Sequence, residues 1–257
     1  RNTFRYLLGA LEGFAEDERV GVEAMPELER YMLHLLAELD AKLRQAVEDY
    51  DFNSYTRLIA DFANNDLSAF YFDIRKDVLY CEVNPATGMQ TAKRRAYRTV
   101  LDTLFHALAR WSAPVLVFTS EEVWSTRFPE GGSVHLLEWP ELNLLPGEGR
   151  GPGVDLGLRR ETWENLRALR TQVTEAIEPL RRDKVIGSSL EAAVTVPKLL
   201  ADADALAELF IVSSVAAGDA VTVAKTTNRK CGRCWRFLPE VKDDGALCAR
   251  CEEVLNA

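Results

Sequence analysis

The stretch PELERYMLHLLAELDAKLRQAVEDY, residues 26–50, decides the class of fold. Its apolar side chains return every three or four positions, which is the spacing of one face of an α-helix. Pro26 suits the first turn of such a helix, where a missing N–H costs nothing. The pattern therefore predicts a long amphipathic helix ending near Tyr50, with an inward face made of Leu28, Tyr31, Met32, Leu35, Leu39, Leu43 and Val47.

The same spacing continues on both sides of this helix. A first helix precedes it, a third has Asn53 as its N-cap and ends near Cys81, and a fourth covers about residues 90–111. Thr119 or Ser120 is expected to cap a short helix that reaches Trp124. Residues 1–128 are thus predicted to form an antiparallel helical bundle. Its aromatic side chains are predicted to be core rather than contact residues: Tyr31, Phe70, Tyr97 and Phe105.

The pattern changes after the bundle. Residues 129–157 are rich in proline and glycine, which predicts a linker. In residues 158–225, a helix over about 159–182 and another over 203–210 alternate with apolar positions at period two. Strands are expected near 190–196, 211–215 and 220–224, so this part is predicted to be a small α+β domain, and the fold as a whole is predicted to be mainly α.

Residues 226–257, called here the cysteine segment, contain two Cys-x-x-Cys pairs separated by thirteen residues. Such pairs at this kind of spacing are typical of a tetrahedral Zn²⁺ site. Four protein ligands leave no open coordination position, so one structural zinc ion is predicted. Two disulfides and a redox dithiol are the alternatives. The predicted ligands are Cys231, Cys234, Cys248 and Cys251.

Cysteine usage and hydropathy indicate a cytoplasmic protein. The chain has five cysteines, an odd number, and residues 1–5 carry no apolar signal region. Its apolar runs fall short of the ~20 residues that span a bilayer, so no membrane partner is expected. Cys81, the cysteine outside the two pairs, is predicted to be a small buried apolar residue.

The distribution of charge is more informative than its sum. A net charge of −9 argues against a general binder of polyanions. Three stretches nevertheless contain no acidic residue, namely residues 1–11, 83–101 and 220–239. Each is a candidate for phosphate contact, and the third surrounds the predicted metal site. The basic residues of the last two stretches are Lys93, Arg94, Arg95, Arg98, Lys225, Arg229, Lys230, Arg233 and Arg236.

Trp235 directly follows the second cysteine and has an arginine on each side of the Cys-Trp pair. A small metal-centred unit has little core, so this indole is expected to be accessible. It either covers the metal site together with Phe237 or stacks on an unpaired nucleobase, with Arg233 and Arg236 holding the backbone. No catalytic motif is found in the sequence, which favours a binding module.

Several stretches of the chain, in order, resemble the C-terminal part of bacterial isoleucyl-tRNA synthetases, which are class I enzymes. The resemblance is carried by RNTFRYLLG at 1–9, FYFDIRKDVLYC at 70–81, APVLVFTSEEVW at 113–124, KVIGSSLEA at 184–192, and the two cysteine peptides at 230–235 and 248–251. Some of the helical motifs are shared with the valyl and leucyl enzymes, and the cysteine peptides favour the isoleucyl family.

The resemblance implies an anticodon-binding bundle, a C-terminal junction domain and a zinc-binding peptide. The full enzyme would activate isoleucine with ATP and charge tRNA(Ile), with ATP bound only in the catalytic domain. The catalytic and editing domains would precede Arg1 in the same chain. This part would act as a monomer without catalytic activity and would hold the anticodon stem-loop. The residues assigned to tRNA contact are Arg1, Asn2 and Arg5 on the first helix, and Arg233, Trp235 and Arg236 beside the metal.

Two other functions stay open on the sequence. A four-cysteine finger also ends DNA glycosylases of the formamidopyrimidine type, although those enzymes need an N-terminal proline nucleophile and this chain begins with Arg1. A zinc-stabilised scaffold for protein interactions is the other, and the net charge of −9 is compatible with it.

Overall fold

A computed structural model describes residues 1–142 and 160–257. The chain folds into two compact units. The first unit is Arg1–Leu79 with Thr91–Leu158, and the second is Tyr80–Gln90 with Arg159–Ala257. The predicted fold class is confirmed: helices dominate the first unit, and a small sheet and a cluster of four cysteines lie in the second.

The first unit is a helical bundle built around one buried helix. Its helices are α1 (Asn2–Ala10), α2 (Glu27–Glu48), α3 (Phe52–Asp61), α4 (Asp73–Cys81), α5 (Ala92–Ser112) and α6 (Val117–Arg127), and the last two residues of α4 belong to the second unit. Helices α1, α2, α3 and α6 all pack against α5. The four aromatic residues predicted to be core, Tyr31, Phe70, Tyr97 and Phe105, are all buried.

The third predicted helix is continuous from α3 to α4, and its central part is not α-helical. Between α3 and α4 the backbone forms a π-helix over Phe62–Phe72, which is wider than an α-helix and rare at this length. The side chain that caps α3 is Asp51, which accepts from the Ser54 N–H at 3.0 Å, and Asn53 lies inside the helix. The prediction of Asn53 as N-cap was therefore wrong by two residues, because an aspartate offers the same kind of acceptor two positions earlier.

Two further details of the bundle differ from prediction. Helix α6 begins at Val117, and its N-cap is Leu116 rather than Thr119 or Ser120. On α2 the buried face includes Leu36 and Ala46, while Leu35 is half-buried and Val47 is exposed. A face of period 3.6 drifts over six turns, so the choice between neighbouring leucines could not be made from spacing alone.

The second unit contains a three-stranded sheet covered by helices. Strand β1 (Ala192–Val196) pairs in parallel with β2 (Ser214–Ala217) and antiparallel with β3 (Thr222–Lys225). Helix α7 (Arg160–Arg182) packs on β3, and α8 (Ala203–Phe210) packs on β2. The predicted inward face of α7 is buried throughout: Trp163, Leu166, Leu169, Val173 and Ile177.

The strands of this unit begin later in the sequence than predicted. Leu190 lies in a 3-10 turn, and β2 and β3 begin a few residues later than expected. Ile211 adopts a left-handed backbone that ends α8, so it cannot begin a strand. A short hairpin of β4 (Arg229–Lys230) and β5 (Phe237–Leu238) and a terminal helix α9 (Ala249–Asn256) complete the unit.

The predicted linker falls mostly on residues 143–157, which lie outside the described residues. Of its described part, Val134 is buried and the Trp139 indole N–H donates to the Asp40 carboxylate at 2.7 Å. Among residues 1–142 and 160–257, no helix is both long enough and apolar enough to span a membrane.

Candidate metal centre and nucleic-acid surface

The two cysteine pairs come together from separate elements. Cys231 and Cys234 lie in the turn between β4 and β5, while Cys248 is the N-cap of α9 and Cys251 lies in its first turn. All four side chains are buried, and their Sγ atoms lie within 4.8 Å of one another. The chain folds all four predicted ligands into one cluster.

The separation of the sulfur atoms suits a shared metal ion. The Sγ atoms of Cys234 and Cys248 are 3.8 Å apart. A tetrahedral site with Zn–S bonds of about 2.3 Å has sulfur atoms about 3.8 Å apart, whereas a disulfide needs about 2.0 Å. The cysteines are free thiols in this structure, so its geometry does not support the disulfide alternative.

The backbone around the cysteines is arranged for four close sulfur atoms. The Cys248 N–H donates to Cys231 Sγ at 3.3 Å, an interaction that favours negative charge on the sulfur. The Gly232 N–H donates to the Ala246 carbonyl at 3.0 Å, which draws the two cysteine turns together. A Cβ on Gly232 would lie 2.3 Å from the Gly245 carbonyl oxygen, so only glycine fits there.

Two of the four thiols have a raised pKa. Burial raises the pKa of the Cys248 thiol. A hydrogen bond with Cys234 and burial raise the pKa of Cys251 well above the usual range. Because like charges repel at this distance, four thiolates need a positive ion between them. The donor set and its burial therefore fit a divalent metal that displaces the thiol protons.

Trp235 is exposed and has an uncommon backbone conformation. Its side chain is 61% exposed, so it does not cover the sulfur cluster as a buried lid would. Its φ angle is +63°, a left-handed conformation that costs a bulky residue about 1–3 kcal/mol. The Lys230 ammonium lies 5.2 Å from the centre of the indole ring. The chain thus holds a cation and an accessible aromatic face together beside the cysteine cluster.

The two neighbouring arginines differ in their surroundings. Arg233 is half-buried, and its Nη2 donates to the Val83 carbonyl at 2.6 Å. Arg236 is half-buried, and its backbone carbonyl accepts from the Cys231 N–H at 2.9 Å. The guanidinium of Arg233 is therefore already used to join two parts of the second unit.

The other predicted contact residues belong to the first unit. Arg1, Asn2 and Arg5 are exposed at the beginning of α1. The guanidinium of Arg1 lies 3.7 Å from the Glu122 carboxylate, and both groups face water, where such a pair is weak. All three side chains are accessible to a ligand.

The basic stretch at residues 83–101 is not the free surface that its composition indicated. The guanidinium of Arg98 is buried and donates to the Ala10 and Glu12 carbonyls and to the Glu18 carboxylate. Arg94 and Arg95 donate to backbone carbonyls as well. These three arginines tie the bundle together, which a count of charges along the chain cannot reveal.

The sequence reasoning missed the role of Tyr80–Gln90, which packs on the cysteine segment. The Asn84 amide donates to the Leu255 and Ala257 carbonyls at 3.1 and 2.8 Å, and Arg250 pairs with Glu82 at 3.2 Å. Cys81, predicted to be buried, is half-buried and packs against the sulfur cluster. The sequence Asn84-Pro85 is typical of a turn, but no local pattern identifies the distant partners of this segment.

A helical bundle, a small α+β unit and a cluster of four buried cysteines that could hold a metal ion are together typical of a binding module. Residues 29–196 match the family of anticodon-binding domains of tRNA ligases. The match covers more than half of the chain, and the chain belongs to this family.

The whole chain is also similar to curated isoleucine–tRNA ligases. It is 56% identical over 266 residues to the protein of Zymomonas mobilis and 44% identical over 273 residues to that of Gluconobacter oxydans. It is 43% identical to the protein of Ruegeria pomeroyi. In each case all of this chain is covered, and it spans only 27–28% of the relative's length. The resemblance inferred from the sequence is confirmed.

Proposed function

We propose that this chain is the tRNA-binding part of an isoleucine–tRNA ligase. The complete protein would activate isoleucine with ATP and attach it to tRNA(Ile) in the cytoplasm, as a monomer. The observation that carries this proposal is membership in the anticodon-binding family, together with 56% identity across the whole chain to an isoleucine–tRNA ligase. The comparisons give no support to the glycosylase or scaffold alternatives.

The catalytic and editing domains would lie elsewhere in the longer polypeptide. The relatives are nearly four times as long as this chain, which leaves room for both. ATP would bind there, so the chain alone is expected neither to activate isoleucine nor to charge tRNA. Its task would be to bind the anticodon stem-loop of tRNA(Ile).

The metal in the cysteine cluster would be one Zn²⁺ ion. Zinc suits four thiolates in a tetrahedron, and a site filled by protein ligands has no position for substrate. Its role would be to fold the cysteine segment, with a ligation free energy on the order of 10 kcal/mol.

Contacts to the anticodon loop would come from the exposed groups beside the cluster. Trp235 presents an accessible ring face, and residues 220–239 contain no acidic side chain. Unpaired bases stack on such rings, and basic residues neutralise the phosphates. Arg236 beside the metal, and Arg1, Asn2 and Arg5 on α1, would contact the backbone.

Binding to RNA stem-loops tests this proposal. The chain with zinc should retain an anticodon stem-loop of sequence GAU on a filter more strongly than loops of other sequence. Its affinity should fall steeply as salt is raised, because bound phosphates release counterions. Equal retention of all loops, or no retention at low salt, would contradict the proposal.

A paired substitution tests the contact surface. Trp235→Ala with Arg236→Ala should lower the affinity for the GAU loop by at least about fivefold, since one stacked base is worth about 1–3 kcal/mol. The matched control is Tyr50→Ala with Arg57→Ala, an exposed aromatic and an exposed arginine of the first unit. Unchanged affinity in the first pair would remove Trp235 and Arg236 from the contact surface.

A further inference from the structure

Tyr80 is an exposed aromatic residue at a position where the fold does not require one. Its side chain is 68% exposed, although it stands next to the half-buried Cys81. In the same segment, Met89 is 58% exposed. A single exposed aromatic residue needs no explanation, but this segment packs directly on the cysteine segment, whose own exposed aromatic residue is Trp235.

The two backbone segments that carry these exposed residues meet in one contact region. The Cys81 thiol donates to the Arg233 carbonyl at 3.9 Å, and the Arg233 guanidinium donates to the Val83 carbonyl at 2.6 Å. Tyr80 precedes Cys81 by one residue, and Trp235 follows Arg233 by two. Both aromatic residues are therefore anchored within two residues of the same pair of hydrogen bonds.

This contact region is braced on several sides. Asn84 is buried, and its side-chain oxygen accepts from the Ala86 N–H at 2.8 Å while its amide holds the end of α9. Arg250 pairs with Glu82 across the same interface. The backbone that carries Tyr80 is consequently fixed relative to the cysteine segment, so the ring can be presented at low entropic cost.

The charge around Trp235 suits an anionic strand. Arg229 and Lys230 are exposed on β4, and Lys230 lies against the Trp235 ring. The acidic group of the loop, Glu82, is buried and paired with Arg250. An exposed indole with a cation beside it, in a stretch (residues 220–239) without acidic side chains, suits single-stranded nucleic acid.

We propose that Tyr80 is a second stacking platform for an unpaired RNA base, acting together with Trp235. This inference rests on the proposed function and extends it, because it adds the segment Tyr80–Gln90 to the RNA-binding surface. Two platforms hold two bases that a duplex would keep stacked inside the helix. The surface therefore selects an open loop over a duplex.

The test compares two RNAs and three variants of the zinc-loaded chain. The probes are an anticodon stem-loop with a GAU anticodon and a blunt duplex of equal length. Tyr80→Ala should weaken stem-loop binding by about 5- to 100-fold, which corresponds to loss of one stacked base. Tyr80→Phe should bind like the unchanged chain, since stacking uses the ring and not the hydroxyl. Duplex binding should be the same in both variants.

Tyr50→Ala is the matched control, because Tyr50 is 81% exposed and lies in the first unit. It should leave stem-loop binding unchanged. Zinc content and far-ultraviolet circular dichroism check that each variant is folded. An equal loss on stem-loop and duplex would show a general effect rather than stacking, and it would overturn the inference.

The outcome also separates this inference from the proposed function. If the unchanged chain binds the stem-loop and Trp235→Ala weakens it, but Tyr80→Ala does not, then Tyr80 is no platform and the proposed function stands. If the unchanged chain binds no stem-loop, the proposed function fails and this inference fails with it. A Tyr80→Ala loss that is not restored in Tyr80→Phe would likewise overturn the stacking role.

Discussion

At the scale of single residues, the backbone conformation of Trp235 is unusual, and this residue directly follows Cys234 of the cysteine cluster. The turn that contains Cys231 and Cys234 places the next residue in a left-handed conformation, and glycine or asparagine would adopt it with less strain. Here the position holds an exposed tryptophan at φ +63°. Strain of this kind persists where surrounding contacts enforce it, and it directs attention to the exposed ring as a functional group.

The cysteines could be predicted from the sequence because their spacing is local. The chemistry of a thiolate cluster depends on two short turns, and both are visible in the order of residues. The position of Arg233 could not be predicted in the same way. Its hydrogen-bond partner is the carbonyl of Val83, which lies 150 residues earlier in the chain. No local pattern carries information about such a contact.

Gly232→Ala is expected to damage the metal site without removing a ligand. The new Cβ would lie 2.3 Å from the Gly245 carbonyl oxygen, so one of the two cysteine turns must move. Overpacking of this kind costs about 1–3 kcal/mol, which should lower metal affinity by roughly tenfold or more. Competition with a colorimetric chelator measures the affinity.

Gly9→Ala is the control for this prediction, since a Cβ at Gly9 meets nothing within 4 Å. It should retain the metal as the unchanged chain does. Equal affinity in Gly232→Ala would mean that the two turns tolerate separation, and that the closeness of Gly232 and Gly245 is not needed for ligation.

At the scale of secondary structure, the buried face of a helix could be predicted where its large apolar residues form a single stripe. The five apolar residues predicted for the inward face of α7 are all buried, because no second large apolar residue stands next to any of them. Helix α2 offers adjacent leucines, and the predicted Leu35 is less buried than Leu36. The π-helical segment Phe62–Phe72 has no sequence signal that separates it from an α-helix of the same polarity.

The basic residues of α5 show how charge can mislead at this scale. A run of cations without acids predicts a phosphate surface, but Arg98 is 3% exposed and donates to two backbone carbonyls and a carboxylate. The carbonyls belong to Ala10 and Glu12, at and just beyond the end of α1, where helical partners are missing. The Arg98 guanidinium thus donates to carbonyls that have no helical N–H partner, and it is not a free phosphate-binding group.

Arg98→Ala is therefore expected to destabilise the first unit and not to act on RNA binding directly. Removing the guanidinium leaves the carboxylate of Glu18 and the carbonyls of Ala10 and Glu12 without this hydrogen-bond donor. Breaking such a buried pair costs about 3–5 kcal/mol of stability. Urea unfolding followed by circular dichroism measures the loss. Arg5→Ala, at an exposed position, should change the stability by less than about 0.5 kcal/mol. A fully stable Arg98→Ala variant would contradict this role.

At the scale of the whole molecule, each of the two units has its own kind of interior. The first has a large apolar core that includes the fully buried Trp111, Tyr71, Tyr97 and Phe105. The cluster at the end of the second unit consists of four cysteines and Val241, with few apolar neighbours. A small cluster of thiols gives little stability to a segment of this length by burial alone, so a metal bound by the four cysteines would supply most of the stability there.

The division into units also explains what the sequence could not predict about the candidate surface. A boundary drawn from composition keeps residues 1–128 together, because helices follow one another without interruption. The fold instead places Tyr80–Gln90 in the second unit, through hydrogen bonds with Arg233, Arg250 and the carbonyls of α9. These are side-chain contacts over long sequence distances. Only these contacts make the exposed Tyr80 a candidate for RNA binding, so the sequence alone could not identify it.

Removal of the metal should accordingly release two segments that are distant in sequence and leave the bundle intact. With a strong chelator, amide hydrogen exchange should accelerate over residues 229–257 and over Tyr80–Gln90, because the latter is held by Arg233 and α9. Exchange in the buried helix α5 should stay slow, and far-ultraviolet circular dichroism should change little. Excess zinc should restore protection. Loss of protection in α5 to the same extent would show one cooperative unit, and a protected Tyr80–Gln90 would show that this segment does not depend on the metal-centred fold.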